Sequence, residues 1–514
     1  MEFWIKAAQL LLALSILVFL HELGHFIPAR IFKTRVEKFY LFFNPWFSVV
    51  KKKIGETEWG IGWIPLGGYV KISGMVDESM DKEQLAKPAQ PWEFRSKPAW
   101  QRLIIMLGGV TVNIIVGIVI YIFVVFAWGE TELHTKDLEN GLAVHPYMQK
   151  YGFESGDNVL KMNGEPVVRP SDINAGILIR DQYDLTVKHA DGSTEVIKLN
   201  DGVEYDIFKN GAMSAFGLRY KSTEVNYTTL ASDFHYSSSG SDNKIPAQSE
   251  VLAINGQDVN EIHDFKADNF TSKKTVKLKV RQGTDTLSID LPSKKMKTFL
   301  YSAPALSAGI KKGDIVHSID GTPITYFDEI LTACYNNKGK KIQMTVMRDS
   351  SIVDITARVN KQGTLGFGMI TVESEDNKHK RDITYSFGES IGRGFSMGMQ
   401  TLGDYVGQLK FLFTKKGASS IGGFGAIGSL FPGTWNWQVF WLNTALISII
   451  LAFMNVLPIP ALDGGHVVFL LYEMITGKEA PQKVLEVAQM IGFFILIALL
   501  LYANGNDIYR AITG

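Results

Sequence analysis

Four stretches of the chain are nearly free of charge. They cover about residues 3–20 (FWIKAAQLLLALSILVFL), 103–128, 438–457 and 484–502. A helix needs about 20 mostly apolar residues to cross a bilayer, so each stretch is predicted as a membrane span. The lipid bilayer is therefore the first expected partner. The first stretch lacks the basic start and the small-residue cleavage site of a signal peptide, so it reads as a retained span. Between the spans the pattern changes. Residues 130 to about 380 are polar, strand-like and rich in turns.

Charge gives the spans a direction. The segment 33–100 is rich in Lys and Arg, from Lys33 and Arg35 through Lys51–Lys53 to Lys97. Such an excess marks the cytoplasmic side. The first span then runs inward, the second outward, and the insert lies outside the cytoplasm. Within the basic segment, WGIGWIPLGGYVKISGM (59–75) is Gly-rich, aromatic and β-prone. It is read as a membrane-associated β-hairpin around Gly67 and Gly68. The overall charge is zero and gives no support for a nucleic-acid partner. The single cysteine, Cys334, excludes an intramolecular disulfide framework and a cysteine zinc finger.

The insert holds a weak repeat: GDNVLKMNGEPV (156–167), SEVLAINGQDV (249–259) and GDIVHSIDGTPI (313–324). Each pairs a short β-run with Asn-Gly or Asp-Gly, a hairpin turn signal. The last copy follows SAPALSAGIKKGD and precedes a helical run, YFDEILTACYNN. This pattern resembles a PDZ domain. One module is expected over 130–222 and one or two over 223–375. Such modules bind extended peptides by strand addition, or they filter by size. Residues 384–433 are expected to form amphipathic helices at the outer membrane surface and a Gly-rich loop.

The candidate chemistry lies inside the apolar runs. LVFLHELGHFIPARIF (17–32) places His21, Glu22 and His25 in a predicted span. Ionisable groups there are costly and usually functional. H-E-x-x-H on a helix sets two imidazoles one turn apart for one Zn²⁺, with the glutamate as base. A third ligand is needed, and NVLPIPALDGGH (455–466) offers Asp463 beyond a proline-broken helix. The alternative for Asp463 is a helix N-cap. Asn455 suits a hydrogen bond to substrate or to the oxyanion, or else holds helices together.

HELGH in the first span and N-x-x-P-x-P-x-L-D-G in the third resemble the site-2 protease family of intramembrane zinc metalloproteases. The resemblance covers nearly the whole chain. It implies a polytopic α-helical membrane protein with four transmembrane helices and inserted PDZ-like α/β domains. The spans would fall within 1–32, 101–129, 436–470 and 482–505. It implies one Zn²⁺ per chain held by His21, His25 and Asp463, with Glu22 as catalytic base. Asn455 and the hairpin residues Gly67, Gly68, Tyr69, Val70, Lys71 and Ile72 would bind substrate. Implied partners are pre-trimmed single-pass membrane proteins, among them anti-sigma factors and remnant signal peptides. The implied location is a bacterial inner membrane, with the site near the cytoplasmic side and the PDZ-like modules periplasmic. Two positions depart from the family pattern: Val110 and Phe424 stand where prolines are usual. The rival readings are a metal transporter, which lacks the repeated spans many transporters show, and a scaffold, which has no use for Glu22.

Overall fold

The computed structural model describes residues 2–75, 88–226, 250–258, 275–282, 285–292, 304–361, 363–369, 380–412, 414, 417 and 421–513. The chain divides into two compact units. One is Met1–Glu130 with Asp382–Asp507, and the other is Thr131–Arg381 with Ile508–Gly514.

In the first unit the apolar runs fold as long helices. These are α1 (Glu2–Ile31), α2 (Ala99–Trp128), α3 (Phe387–Leu412), α4 (Trp437–Val456), α5 (Asp463–Thr476) and α6 (Gln482–Thr513). Among the described residues, α1, α2, α4 and Gln482–Tyr509 of α6 are long and apolar enough to cross a membrane. Helix α2 is central: α1, α3, α4 and α5 all pack against it. Glycines set how close they come. A Cβ on Gly24 of α1 would lie 2.5 Å from the Gly108 carbonyl oxygen, and one on Gly108 would lie 2.0 Å from that of Gly24. Small residues permit this backbone approach, the usual device for joining helices in lipid. The α2–α4 contact is fixed by Ser448, whose hydroxyl donates to the Asn113 carbonyl at 2.7 Å.

Where amphipathic helices were expected after residue 384, the described residues hold the long helix α3 and a six-residue one, Phe424–Ser429. The glycines of α3 step down α2, Gly394 against Ile122 and Gly398 against Ile118, while Phe387 meets Phe126. The two helices therefore run antiparallel and side by side. The Gly-rich loop that follows is held by α6. Asp507 accepts from the Gly423 and Ala426 amides, and Asn504 accepts from Phe424.

The hairpin expected over 59–75 is not one. The strands are β1 (Val36–Phe43), β2 (Val50–Ile54), β3 (Thr57–Ile61) and β4 (Ile64–Ile72), in the order β2-β3-β1-β4. Strands β3 and β4 never pair with each other, because β1 lies between them, parallel to β3 and antiparallel to β4. Strand β1, with its own Phe39 and Tyr40 buried, supplies the partner that the hairpin reading lacked. The real hairpin is β2–β3, turning at Gly55 (φ 65°). Strand β4 is left at the sheet edge.

The second unit contains three four-stranded sheets of one topology. In the first, Glu165–Pro166, Asn158–Met162, Asp184–Lys188 and Thr194–Lys198 lie in that order. Gln257–Asp258, Glu250–Ile254, Thr275–Gln282 and Asp285–Pro292 repeat it, as do Thr322–Pro323, Ile315–Ile319, Lys341–Arg348 and Ser351–Arg358. The three turns read from the sequence are all present. Asn163-Gly164, Asn255-Gly256 and Asp320-Gly321 each have two positive φ values, as a type I′ hairpin requires. Each sheet also has a register shift at the matching place, after Val159, Val251 and Val316.

The third sheet's module encloses the second. Val225–Asn226, which precede the second sheet, pair with Gly368–Met369. Val225 is buried in the third core with Ile310, Val316, Ile330 and Cys334. The Cys334 thiol is pushed up to about 12 by burial, so it is an inert core group. In the first module, Phe216–Leu218 pair with Leu142–Val144. The outer side of that short strand is occupied by the chain itself. Asn174, on the helix Pro170–Leu178, donates to the Phe216 carbonyl at 2.7 Å and accepts from its amide at 3.0 Å. Just past that strand, Arg219 pairs with Glu329 at 2.9 Å, and Tyr220 accepts from the Phe327 amide.

Candidate metal centre

The i, i+4 spacing on α1 brings His21 and His25 onto one face. Both rings point at the break between α4 and α5. There Pro458 and Pro460 end one helix, and the chain turns through Ala461 at φ 78° before α5 begins at Asp463. A non-glycine residue at positive φ is uncommon and marks a held backbone. The turn is also tight: a Cβ on Gly464 would lie 2.2 Å from the Leu457 carbonyl oxygen. Leu462, and not Asp463, is the N-cap residue of α5. The Asp463 carboxylate faces the histidines.

Three atoms converge. His21 Nε2 and His25 Nε2 are 3.2 Å apart, and Asp463 Oδ2 lies 3.3 Å and 3.4 Å from them. The ring orientations are set from outside this triangle. His25 Nδ1 lies 2.8 Å from the Ile105 carbonyl on α2, so its N–H is donated there and Nε2 keeps its lone pair. His21 Nδ1 lies 3.1 Å from the Asn113 amide nitrogen, while Asn113 Oδ1 is buried without a partner. With the amide turned over, that oxygen accepts the His21 Nδ1–H, which frees His21 Nε2 as well. Asp463 Oδ2 is itself buried with no hydrogen bond.

Three electron-pair donors at such spacing repel one another unless a cation joins them. In a tetrahedral zinc shell with bonds of about 2.0–2.1 Å, neighbouring ligand atoms stand about 3.3 Å apart. The triangle fits zinc in both size and chemistry. Among the described residues it is the one such group of His, Cys, Asp or Glu side chains.

The triangle opens on a cavity of about 410 Å³. Glu22 lines it, and so does the edge strand β4 from Gly68 to Ile72. Gly68 must be small, since a Cβ there would sit 2.8 Å from Val18 Cγ1. Asn455 Nδ2 is 3.4 Å from His21 Nε2. Of the expected set, Asn455 and Gly67 do not line the cavity; Gly67 lies against the Phe43 ring. Sequence reading gave no role at the metal centre to Asn113, the Ile105 carbonyl or Gly109, though Gly109 and Asn113 bracket the stretch in which Val110 replaces the family's proline. A Cβ on Gly109 would come within 2.4 Å of His25 Nε2 and 2.6 Å of His21 Cε1. A glycine pair and an Asn inside an apolar run were the available signals.

The model of Peptidase family M50 matches residues 9–499. The chain belongs to this family. It is a metalloprotease. Full-length relatives agree. Proteins named "Putative zinc metalloprotease" from Neisseria meningitidis and Vibrio cholerae are 27% and 25% identical to the chain over 511 and 520 residues, each match covering 97% of both partners. A "Regulator of sigma E protease" from Haemophilus influenzae is 25% identical over 524 residues, covering 99% of this chain and all of the relative. The M50 assignment and the four apolar helices together make the chain a membrane metalloprotease.

Proposed function

We propose that the protein hydrolyses peptide bonds inside the transmembrane segments of single-pass substrates. The observation that carries this reading is the ligand triangle between α1 and the start of α5. A zinc-sized donor set, two of its members on an apolar helix long enough to span a bilayer, opens beside the edge strand β4. His21, His25 and Asp463 hold one zinc ion per chain. Bound there, zinc polarises a carbonyl and lowers the pKa of a water toward about 7. Glu22 takes the proton of the attacking water and passes it to the leaving nitrogen. Asn455 donates to the substrate carbonyl oxygen as charge develops on it.

A helical substrate hides its peptide bonds in its own hydrogen bonds, so the bond to be cut must be presented as a strand. The Gly68–Ile72 edge of β4 supplies the pairing groups. Anti-sigma factors and remnant signal peptides, already trimmed on their outer side, are the substrates of this reading. The enzyme sits in a bacterial inner membrane with the site toward the cytoplasm. The three repeated modules are PDZ-like, lie in the periplasm and exclude untrimmed proteins by size. The closed strand edge at Phe216 favours filtering over peptide capture in the first of them.

The test is cleavage of a pre-trimmed single-span reporter by purified wild type and Glu22→Gln. The reading expects cleavage by the wild type alone. Equal cleavage by both proteins would remove Glu22 from the mechanism.

A further inference from the structure

The cavity holds charges that hydrolysis does not use. Lys38 on β1 and Lys71 on β4 both line it. They stand directly opposite each other in the β1–β4 pairing. Like charges so placed destabilise a sheet, and broken local rules of this kind gather at functional sites. Glu37 Oε2 lies 3.6 Å from Lys71 Nζ. Lys38 has no ion-pair partner among the described residues. Glu22 and Asp463 bring two negative charges, which a divalent ion balances. Among the described residues, the lysine pair less Glu37 therefore leaves one net positive charge in the wall of the cavity.

That charge meets a regular feature of membrane segments, the Lys and Arg at their cytoplasmic ends. We propose that Lys38 and Lys71 form a charge filter for the substrate residues that enter the cavity. The filter accepts an acidic or neutral residue beside the scissile bond and repels a basic one. The substrate's basic flank is thereby held out of the site, and the cut falls within the apolar segment. This inference deepens the proposed proteolysis and rests on it. A substrate carboxylate is favoured over a lipid phosphate as the matching anion, because both lysines face the cavity that Glu22 and the β4 edge share.

The test uses the full chain and single-span reporters with Glu, Gln or Lys placed in turn at six positions on the cytoplasmic side of the mapped cut. Cleavage ratios are read within each enzyme, so a general loss of activity cancels. At the most sensitive position the wild type should cut the Glu reporter about tenfold faster than the Lys reporter. That is the order of effect of one unit charge at about 8 Å through an effective dielectric near 20, after screening. Lys38→Gln should shrink the ratio, and Lys38→Glu should reverse it. Equal rates for Glu and Lys at every position in the wild type would overturn the filter, as would a ratio unchanged in both variants. Rates that follow the anionic lipid content of the vesicles, with no discrimination among reporters, would assign the lysines to headgroups and overturn it too. Failure to cut any reporter would remove the proteolysis reading and this inference with it.

Discussion

Gly109 separates the stability of the helix from the integrity of the metal centre. It lies in the interior of α2, where replacing Gly by Ala favours the helix by about 1 kcal/mol. The same Cβ would stand 2.4 Å from His25 Nε2. Contact is ordinary only beyond 3.4 Å, so the ring or the helix must yield by about an ångström. Metal sites tolerate about 0.2 Å in ligand distance. Ile105 and Asn113 hold the two rings from the same helix, which leaves them little freedom to retreat. Loss of ligand orientation costs about 10–100-fold in metal affinity, and Gly109→Ala is expected to reach or exceed that range. The assay is competition for zinc against a graded series of chelators in detergent, with thermal unfolding of the chelated protein in parallel. The predicted pair is weaker zinc binding with an equal or higher Tm of the metal-free form. Unchanged zinc affinity would refute the geometry, and a lower metal-free Tm would mean that the helix crossing, and not the metal, is what Gly109 protects.

Two further predictions concern the second unit. His189 donates to Asp157 at 2.8 Å and has Glu195 on its other nitrogen at 3.1 Å, contacts that hold its pKa above the usual 6.5. Its contribution to stability is therefore complete below 6.5 and is lost as pH rises through the raised value. Protection of the Glu154 amide, which Asp157 accepts, should fall over that window after correction for intrinsic exchange. In His189→Arg it should stay level, because Arg348 holds the matching Asp314 of the third module with a permanent charge; an identical fall in both proteins would contradict this. Asn174→Ala removes two hydrogen bonds worth about 0.5–1.5 kcal/mol each. Exchange of the Phe216 amide should rise about tenfold or more, and no change would mean that the strand edge is closed by other groups.

The contrast between what could and could not be read from the sequence follows from the range of each interaction. His21 and His25 were legible because their partnership is four residues long and set by helix geometry alone. The Asn-Gly and Asp-Gly turns were legible for the same reason. Asp463 is 438 residues from His25 and could be reached only through its local oddity, a carboxylate after two prolines in an apolar run. Asn113 and Gly109 carried no local signal strong enough to act on, because their meaning comes from where α2 crosses α1. The β4 strand was read correctly as β and wrongly as half of a hairpin, since its true partner is β1 and the β2–β3 hairpin lies between the two in sequence, so no short turn joins them. The second module was allowed for, but its enclosure by the third was not legible, because it is carried by a two-residue strand, Val225–Asn226, that pairs with Gly368–Met369 far along the chain.

The most direct test is the zinc content per chain of the purified wild type, Glu22→Gln and Asp463→Asn. The account predicts one zinc ion in the first two and a large loss in the third, because residues from opposite ends of the chain share one ion. Full zinc in Asp463→Asn, or none in the wild type, would contradict it.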